Sequence, residues 1–341
     1  MKTEKKITKR IASMVLAAAM ALTTMMTPMQ AQAAPVEVAT PAIGIDVSRY
    51  QGEIDWDQVK AAGVQFAIIR VGYRTQTTGI LTEDPYARYN LQEANRVGIK
   101  TGVYFFSTAI NAVEAVEEAT WVANLIDKYS ITYPVAYDCE GYEKKSSRHY
   151  SLTKDQRTAL AITFMDTIAA RGYTPMFYSS KNSLTDNRDW NATALQTKYK
   201  IWLAYYPKFP FPQTVSPEYD GIYSIWQYSC KARIAGIDEE VDMNLSYFDY
   251  TEIAQPKDPS GAPHVKATDC VQYTEVLDVV TPNTIVNVRT VPSTEDPSTI
   301  VLKLNPGDMI YRTGVGNNGW SKVILGDKAF YIYSNYLDKV L

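Results

Sequence analysis

The chain has few cysteines and few histidines, which narrows the chemistry available to it. Its 341 residues include three cysteines, Cys139, Cys230 and Cys270, and two histidines, His149 and His264. Three cysteines are too few for a disulfide scaffold, although a bridge between Cys230 and Cys270 stays open. With only two histidines, one of them, His264, in a predicted linker, neither a histidine-rich zinc site nor a serine triad is well supplied.

An excess of positive charge and a glycine-rich phosphate loop are also missing. The formal net charge is -3, so the chain has no bulk electrostatic attraction for nucleic acid, and we expect no nucleic-acid partner. The first predicted strand ends in Gly44-Ile-Asp46-Val-Ser48, which places an acid where a dinucleotide-binding protein has glycines. The sequence shows no internal repeat.

The N-terminal segment resembles an export signal. A basic head, MKTEKKITKR, precedes an apolar stretch and the small-residue site Ala31-Gln32-Ala33. The apolar stretch is shorter than the roughly 20 residues that span a bilayer, which argues against the alternative of an uncleaved membrane anchor. We therefore predict a signal peptide over residues 1–33, a secreted mature chain and no membrane association after cleavage.

Residues 38–253 are predicted to form one α/β domain. Two amphipathic stretches, Val113 to Lys128 and Lys154 to Arg171, have helical spacing, and the second starts with a Thr153/Gln156 capping box and stops at Gly172. Short β-rich runs alternate with such stretches, which indicates a parallel sheet. The predicted strands are Ala42 to Val47, Gln65 to Val71, Thr101 to Phe106, Tyr133 to Tyr137, Thr174 to Ser179, Lys200 to Ala204 and Tyr223 to Tyr228. An open sheet and a closed barrel both fit; the length favours an irregular (β/α) barrel.

The composition changes after Tyr250. Residues 254–273 are rich in Pro, Ala, Ser and Lys and lack apolar periodicity, which is typical of a linker. Residues 274–341 contain short β runs separated by Asn-Pro-Gly-Asp, Asn-Asn-Gly and Gly-Asp turns. This spacing predicts a small all-β barrel.

Four acids are predicted to meet at one mouth of the α/β barrel. Asp46 ends the first predicted strand, Asp138 and Glu140 end the fourth, and Asp242 ends or follows the last. Residues i and i+2 of a strand face the same side roughly 6.6 Å apart, so Asp138 and Glu140 would form a carboxylate pair. Such a pair can supply the acid and the carboxylate that glycosidic cleavage needs. Metal ligation and solvated strand ends are the alternatives.

Aromatic residues near the predicted strand ends fit a sugar ligand. The chain has 25 tyrosines, and Tyr104, Tyr178, Trp202 and Tyr205 lie in these positions. Core packing is the alternative for at least half of the aromatic residues at strand ends.

Several motifs together resemble family 25 of the glycoside hydrolases, the Chalaropsis-type lysozymes. In chain order they are GIDVSRYQGEIDWDQVKAAGVQFAIIRVGYR, DPYARYNLQEANRVGIKTGVYFFS, PVAYDCEGY, FYSS, IWLAYY, IWQYS and EEVDMN. The resemblance implies an irregular (β/α) barrel that cleaves the β-1,4 bond between N-acetylmuramic acid and N-acetylglucosamine in peptidoglycan, without metal or cofactor.

The resemblance also implies roles for individual residues. Glu140 matches the general acid and Asp138 its carboxylate partner. The remaining matches are expected to bind substrate: Asp46, Asp242, Arg70, Tyr104, Tyr178, Trp202 and Tyr205. Phe105 stands where some members carry histidine, which leaves one polar contact of the groove in doubt. Retention, inversion and substrate assistance all stay open, because side-chain torsions set the distance between the carboxyls.

The tail, with NVRTVPS, NNGWSKV and AFYIYSNYL, resembles bacterial Src-homology-3-like domains, which implies binding to the cell wall. We therefore expect a secreted or wall-associated, monomeric muramidase whose partner is peptidoglycan. The alternatives are an inactive wall-binding protein and a hydrolase of chitin-like N-acetylglucosamine polymers.

Overall fold

The computed structural model describes residues 36–250, 262–292, 294, 297–316 and 319–340, with backbone alone at 36–39 and 268. The predicted signal peptide and the first part of the predicted linker, residues 254–261, lie outside these ranges. The described residues all belong to one compact unit. No helix within them is both long enough and apolar enough to span a bilayer.

The first sheet closes into an eight-stranded barrel, which confirms the predicted fold class. Its strands follow the order β1-β9-β8-β7-β6-β5-β4-β2, the ring is closed by a β1–β2 pairing, and β3 is added beside β2. Every neighbouring pair in the ring is parallel except those that involve β9. The strands are β1 Val36–Val47, β2 Phe66–Arg74, β3 Leu81–Glu83, β4 Lys100–Phe106, β5 Val135–Asp138, β6 Pro175–Ser180, β7 Lys200–Ala204, β8 Ile225–Ala232 and β9 Val241–Asp249.

Strand β9 was not predicted, and it changes the position assigned to Asp242. This residue lies near the start of β9 and is paired in register with Asp46 of β1. Because β9 runs against its neighbours, its first residues lie at the same mouth as the carboxyl ends of the parallel strands. Asp242 therefore reaches the predicted mouth from the opposite chain direction.

Six helices connect these strands. They are α1 Trp56–Ala61, α2 Ala87–Arg96, α3 Ala112–Ile126, α4 Lys154–Ala170, α5 Lys181–Leu184 and α6 Ala192–Gln196. The predicted capping box begins α4: the Thr153 hydroxyl accepts from the backbone N–H of Gln156, and the Gln156 side chain accepts from the N–H of Thr153. Gly172 follows the helix with φ 79°, a conformation that favours glycine and stops the helix.

Apolar side chains form two separate layers around the barrel wall. The outer layer packs strands against helices, and Phe105 belongs to it, in contact with Trp121 and Phe164. The second layer fills the barrel interior beneath the mouth and includes Phe66 and Trp202. A side chain at Gly44 would meet the Phe66 ring at 2.4 Å, so this interior depends on glycine there. The interior is therefore closed beneath the mouth.

The C-terminal residues form a second sheet with antiparallel pairings, as predicted for an all-β region. Its order is β12-β11-β15-β14-β13-β10-β16. The strands are β10 Tyr273–Pro282, β11 Val286–Arg289, β12 Ile300–Leu304, β13 Ile310–Gly316, β14 Trp320–Leu325, β15 Lys328–Tyr333 and β16 Leu337–Lys339. A separate apolar core around Val280, Val288 and Ile332 fills it.

Polar contacts join this sheet and its preceding segment to the barrel. The Gln92 side chain of α2 accepts from the backbone N–H of Val265 and donates to its carbonyl, at 2.9 and 3.1 Å. The Gln272 side chain donates to the Arg49 carbonyl at 3.3 Å. All three cysteines are free, so the Cys230–Cys270 bridge is not formed.

Candidate active site

The barrel mouth holds a cavity of about 500 Å³, hereafter the acidic cavity. The residues that line it come from the ends of different strands and from the loops that follow them. Six of the nine predicted site residues are among them: Asp46, Arg70, Tyr104, Asp138, Glu140 and Asp242. The topology thus brings together acids that are far apart in the sequence.

Asp138 and Glu140 differ in depth. Strand β5 ends at Asp138, which is 6% exposed, whereas Glu140 lies beyond the strand and is exposed. The chain turns at Gly141, whose φ is 74°, and the Glu140 carbonyl accepts from the Gln76 side chain at 3.3 Å. The expected i, i+2 pair on one strand face is therefore replaced by a deep carboxyl and one at the groove surface.

The surroundings of both carboxyls favour their protonated forms. Burial raises the pKa of Asp138 well above its usual range, the Glu140 charge raises it further, and Arg70 opposes the shift. Desolvation by the groove walls also raises the pKa of Glu140, as do the Glu143 and Asp242 carboxylates, while Lys144 opposes them. Asp138 Oδ1 is buried and has no hydrogen-bond partner among the described residues. The pair therefore retains a proton to higher pH than isolated carboxyls do.

Asp46 and Asp242 form a second carboxyl pair, since the two residues are paired in register and their charges act on each other. Asp46 Oδ2 accepts from Gln227 Nε2 and from Asn244 Nδ2, both at 2.8 Å. Burial raises the pKa of Asp46 well above its usual range, and the Asp242 charge adds to the shift. Since two amide donors face Oδ2, a proton on Asp46 would be held at Oδ1.

The side-chain amides that donate to Asp46 are themselves oriented by hydrogen bonds to their oxygens. Gln227 Oε1 accepts from Tyr178 at 2.9 Å and from Tyr206 at 2.7 Å. Asn244 Oδ1 accepts from the Trp202 indole N–H at 2.7 Å. Because each amide oxygen is occupied by donors, each amide NH₂ is left to face Asp46.

Arg70 is fixed by an acid that was not predicted. Its Nε donates to Asp84 Oδ2 at 2.8 Å, and Asp84 is fully buried. Asp84 also accepts from the backbone N–H groups of Arg49 and Tyr86. The guanidinium lies 5.1 Å from the centre of the Tyr50 ring and 5.4 Å from that of Tyr73, so one acid and two aromatic rings orient it.

Three predicted residues do not line the acidic cavity. Tyr178 lies behind it and bonds Gln227, and Trp202 is 2% exposed in the barrel interior. The Tyr205 ring is covered by the Lys181 ammonium, 4.3 Å from its centre. Phe105 faces the outer layer, whereas its neighbour Phe106 lines the groove, so histidine or phenylalanine at position 105 does not decide a contact in the acidic cavity.

Gln227, Asn244 and Asp84 were not among the predicted site residues. The first two stand in the quoted motifs IWQYS and EEVDMN, where Gln227 interrupts an apolar run and Asn244 occupies a polar position of an alternating one. Those polar positions could have identified them. Asp84 follows a three-residue strand, and no periodicity distinguishes it.

A second cavity of about 390 Å³, hereafter the side cavity, continues the groove. It shares Gln76, Phe106 and Glu140 with the acidic cavity, whereas Asp138 lines only the acidic cavity. Glu140 thus lies where the two cavities meet. No group of three or more His, Cys, Asp or Glu side chains arranged to hold a metal ion occurs within the described ranges.

Comparison with known proteins places this site in a family. Residues 45–237, more than half of the chain, match the model of the glycosyl hydrolases family 25. Lysozyme M1 of Streptomyces globisporus is 29% identical over 212 residues, 59% of this chain and 66% of that protein. A D-alanyl-L-alanine endopeptidase of Streptococcus phage B30 is 24% identical over 316 residues, 86% of this chain and 63% of that protein.

Among solved structures, the modular autolysin LytC from Streptococcus pneumoniae, in complex with a synthetic peptidoglycan ligand, has a TM-score of 0.52 and 28% identity. The match covers 62% of this chain and 48% of LytC. The chain therefore spans just under two thirds of the two sequence relatives and about half of LytC.

Proposed function

Because the chain belongs to family 25 of the glycosyl hydrolases, we propose that it hydrolyses the β-1,4 bond between N-acetylmuramic acid and N-acetylglucosamine in peptidoglycan. The names of its relatives, a lysozyme and an autolysin bound to a peptidoglycan ligand, support this substrate.

The observation that carries the proposal is the position of Glu140 between the two cavities. A glycan in the groove would cross from one cavity to the other above this carboxyl, which can then protonate the bridging oxygen as the bond to the sugar carbon breaks. Asp138 lies on the side of the acidic cavity alone, so the sugar that becomes positively charged belongs there. Asp138 stabilises that charge, either directly or through the sugar's own N-acetyl group. Water then attacks the sugar carbon and returns a proton to Glu140.

The remaining residues of the acidic cavity bind the sugar in this proposal. Asp242 and Asp46 offer carboxyl oxygens to sugar hydroxyls, and Arg70 and Tyr104 offer donors. Tyr178 and Trp202 act from beneath, because their hydrogen bonds orient the amides that hold Asp46. Tyr205, which lines neither the acidic nor the side cavity, is proposed to contact substrate on the strength of the motif IWLAYY alone.

We further propose that the mature chain acts outside the cell as a monomer. The basic and apolar N-terminal pattern supports export after removal of residues 1–33. Residues 38–253 would be the catalytic domain, 254–273 the linker, and 274–341 a Src-homology-3-like, wall-binding domain. The antiparallel sheet in that last range is compatible with the assignment.

Product analysis tests the bond specificity. Purified peptidoglycan is digested, the products are reduced with borohydride, and the reduced ends are identified by mass spectrometry. Muramitol ends are expected. N-acetylglucosaminitol ends would show that the other bond is cut, and no new ends would favour an inactive wall-binding protein. Faster release of new reducing ends from chitin oligomers than from peptidoglycan would favour the chitin-directed alternative.

Substitution of Glu140 tests the assignment of the acid. Glu140→Gln is expected to lower turnover by roughly 10²- to 10⁴-fold and to leave binding to insoluble wall intact, because the amide keeps the shape but has no transferable proton. Glu53→Gln, the same change at an exposed acid outside the groove, is the matched control and should retain full activity. Wild-type turnover in the Glu140 variant would refute the role.

A further inference from the structure

A third cavity, of about 280 Å³, lies between the barrel and the C-terminal sheet. This interdomain cavity is lined on the barrel side by Tyr73 and by threonines of the loop after β2, and on the other side by residues of β10, β13 and β14. Tyr73, Thr75, Thr77 and Glu275 line both this cavity and the acidic cavity. The glycan groove therefore continues, without a break in its lining, into a space that the C-terminal sheet helps to build.

A lysine without an ionic partner marks the far wall of the interdomain cavity. Lys322 of β14 lies with its ammonium 4.6 Å from the centre of the Tyr273 ring. No carboxylate lies within ion-pair distance of Lys322 among the described side chains. Burial lowers the pKa of Lys322 to about 8, and Arg49 lowers it further, against the opposing charges of Glu275, Asp84 and Glu83. A carboxylate placed beside this ammonium would supply the missing counter-charge.

The rest of the wall combines hydroxyl groups with apolar surface. The Tyr273 hydroxyl and Thr313 Oγ1 are buried and have no partner among the described residues. Ile80, Val276 and Leu277 add apolar area, and the Leu277 side chain is 70% exposed. Such a surface suits short peptides, which present amide groups, small apolar side chains and carboxylates. It suits a further sugar less well, because the Lys322 ammonium covers the Tyr273 face on which a sugar ring would stack.

We propose that the interdomain cavity binds the carboxylate-bearing stem peptide attached to the muramic acid in the acidic cavity, with Lys322 as the carboxylate's partner. The proposal rests on the proposed function, since it takes the substrate to be peptidoglycan. In this proposal the C-terminal sheet forms part of the substrate groove. It binds the peptide that is attached to the sugar beside Asp138. A glycan strand without stem peptides would then occupy only the acidic and side cavities.

Binding measurements on the full chain test this proposal independently of turnover. The probes are N-acetylglucosaminyl-N-acetylmuramoyl-tetrapeptide and the same disaccharide without peptide, neither of which contains the bond that the proposed reaction cleaves. Isothermal titration calorimetry is expected to show at least about tenfold tighter binding of the peptide-bearing probe. Lys322→Met should remove that preference, because methionine keeps the length and loses the charge, and should leave binding of the plain disaccharide unchanged.

Two further variants exclude an effect of altered folding or of net charge. Lys303→Met makes the same substitution at an exposed lysine of β12 and should bind both probes as the wild type does. Thr313→Val keeps the side-chain shape and removes the hydroxyl, so it should weaken binding of the peptide-bearing probe only. Equal affinity for the two probes, no binding of the peptide-bearing probe, or a preference that survives Lys322→Met would overturn the inference. Muramitol ends from digested wall would still support the proposed reaction in each of these cases.

Discussion

At the residue scale, the proton of Glu140 is controlled by two side chains that follow it closely in the chain. The Glu143 carboxylate raises the pKa of Glu140, and the Lys144 ammonium lowers it. Both side chains line the side cavity, on the opposite side of Glu140 from Asp138. The proposed general acid works only while it is protonated, so these two charges, together with desolvation and the Asp242 carboxylate, should influence the pH at which activity declines on the alkaline side.

Replacing each charge separately should move that decline in opposite directions. Glu143→Gln removes a charge that opposes ionisation of Glu140, so the alkaline limb of kcat/KM should shift to lower pH. Lys144→Gln removes a charge that favours ionisation, so the limb should shift to higher pH. The measurement is kcat/KM on solubilised peptidoglycan as a function of pH. The wild type and each variant are compared by the pH at the midpoint of the alkaline limb, and the maximum rate is not used. Shifts of the same sign, or none, would contradict Glu140 as the acid.

At the scale of elements, most strands of the barrel were predicted. Lys200–Ala204 matches its prediction at both ends, and the other six predicted strands overlap β1, β2, β4, β5, β6 and β8. These strands bury apolar residues on the helix-facing side, which gives a clear sequence pattern. Asp46 and Asp138 each end a predicted strand. They were therefore predicted to lie at a common mouth, because parallel strands end on the same side of a barrel.

Strand β9 was missed although residues 241–247 alternate apolar and polar side chains, the pattern of a half-buried strand. Much of its polar face does not meet solvent, because Asn244 and Ser246 are fully buried. Asn244 is satisfied by Trp202 and Asp46, which are distant in the sequence. Partners of this kind cannot be inferred from local pattern, and the same holds for Arg70 and Asp84.

Helix α3 is attached to the barrel through a buried charge network that gives another prediction. Glu118 is fully buried and accepts from Arg74 Nε of β2 at 2.7 Å and from the Ser107 hydroxyl at 2.6 Å. Arg74 also pairs with Glu117, whose side chain is 40% exposed. Glu118→Ala should lower the free energy of unfolding by about 3–5 kcal/mol, because it leaves a buried guanidinium short of a partner. Glu117→Ala, the exposed control, should cost less than about 1 kcal/mol.

The pH dependence of this effect has a defined sign. Burial raises the pKa of Glu118 to about 7, against the opposing effects of Ser107 and Arg74. The folded state therefore holds this proton more tightly than the unfolded state, whose glutamate pKa is about 4.3. Its contribution to stability is fully present below about pH 4 and declines as the pH rises to about 7. Urea unfolding at pH 5 and pH 8 should show a larger gap between wild type and Glu118→Ala at pH 5; a gap that widens at pH 8 would contradict the assignment.

At the scale of the whole molecule, the sequence could predict two folded regions but not how they meet. The hydrogen bonds that join them, Gln92–Val265 and Gln272–Arg49, have no periodic signature in the sequence. Their consequence is large, because they set Glu275 and Lys322 beside the loop that borders the acids. The second sheet thus forms part of the groove as well as a separate folded region.

Lys322 offers a direct measurement of this arrangement. The barrel helps to bury its ammonium, and burial lowers the pKa of Lys322 to about 8. NMR titration of the Lys322 side chain, identified by its loss in Lys322→Met, should therefore give a midpoint near pH 8 in the full chain. Gln92→Ala combined with Gln272→Ala removes the hydrogen bonds between the two regions, so water should reach the ammonium and the pKa should rise toward the ordinary value of about 10.4. A midpoint near 10.4 in the wild type would contradict the docked arrangement, and an unchanged midpoint in the double variant would show that the second sheet buries Lys322 without the barrel.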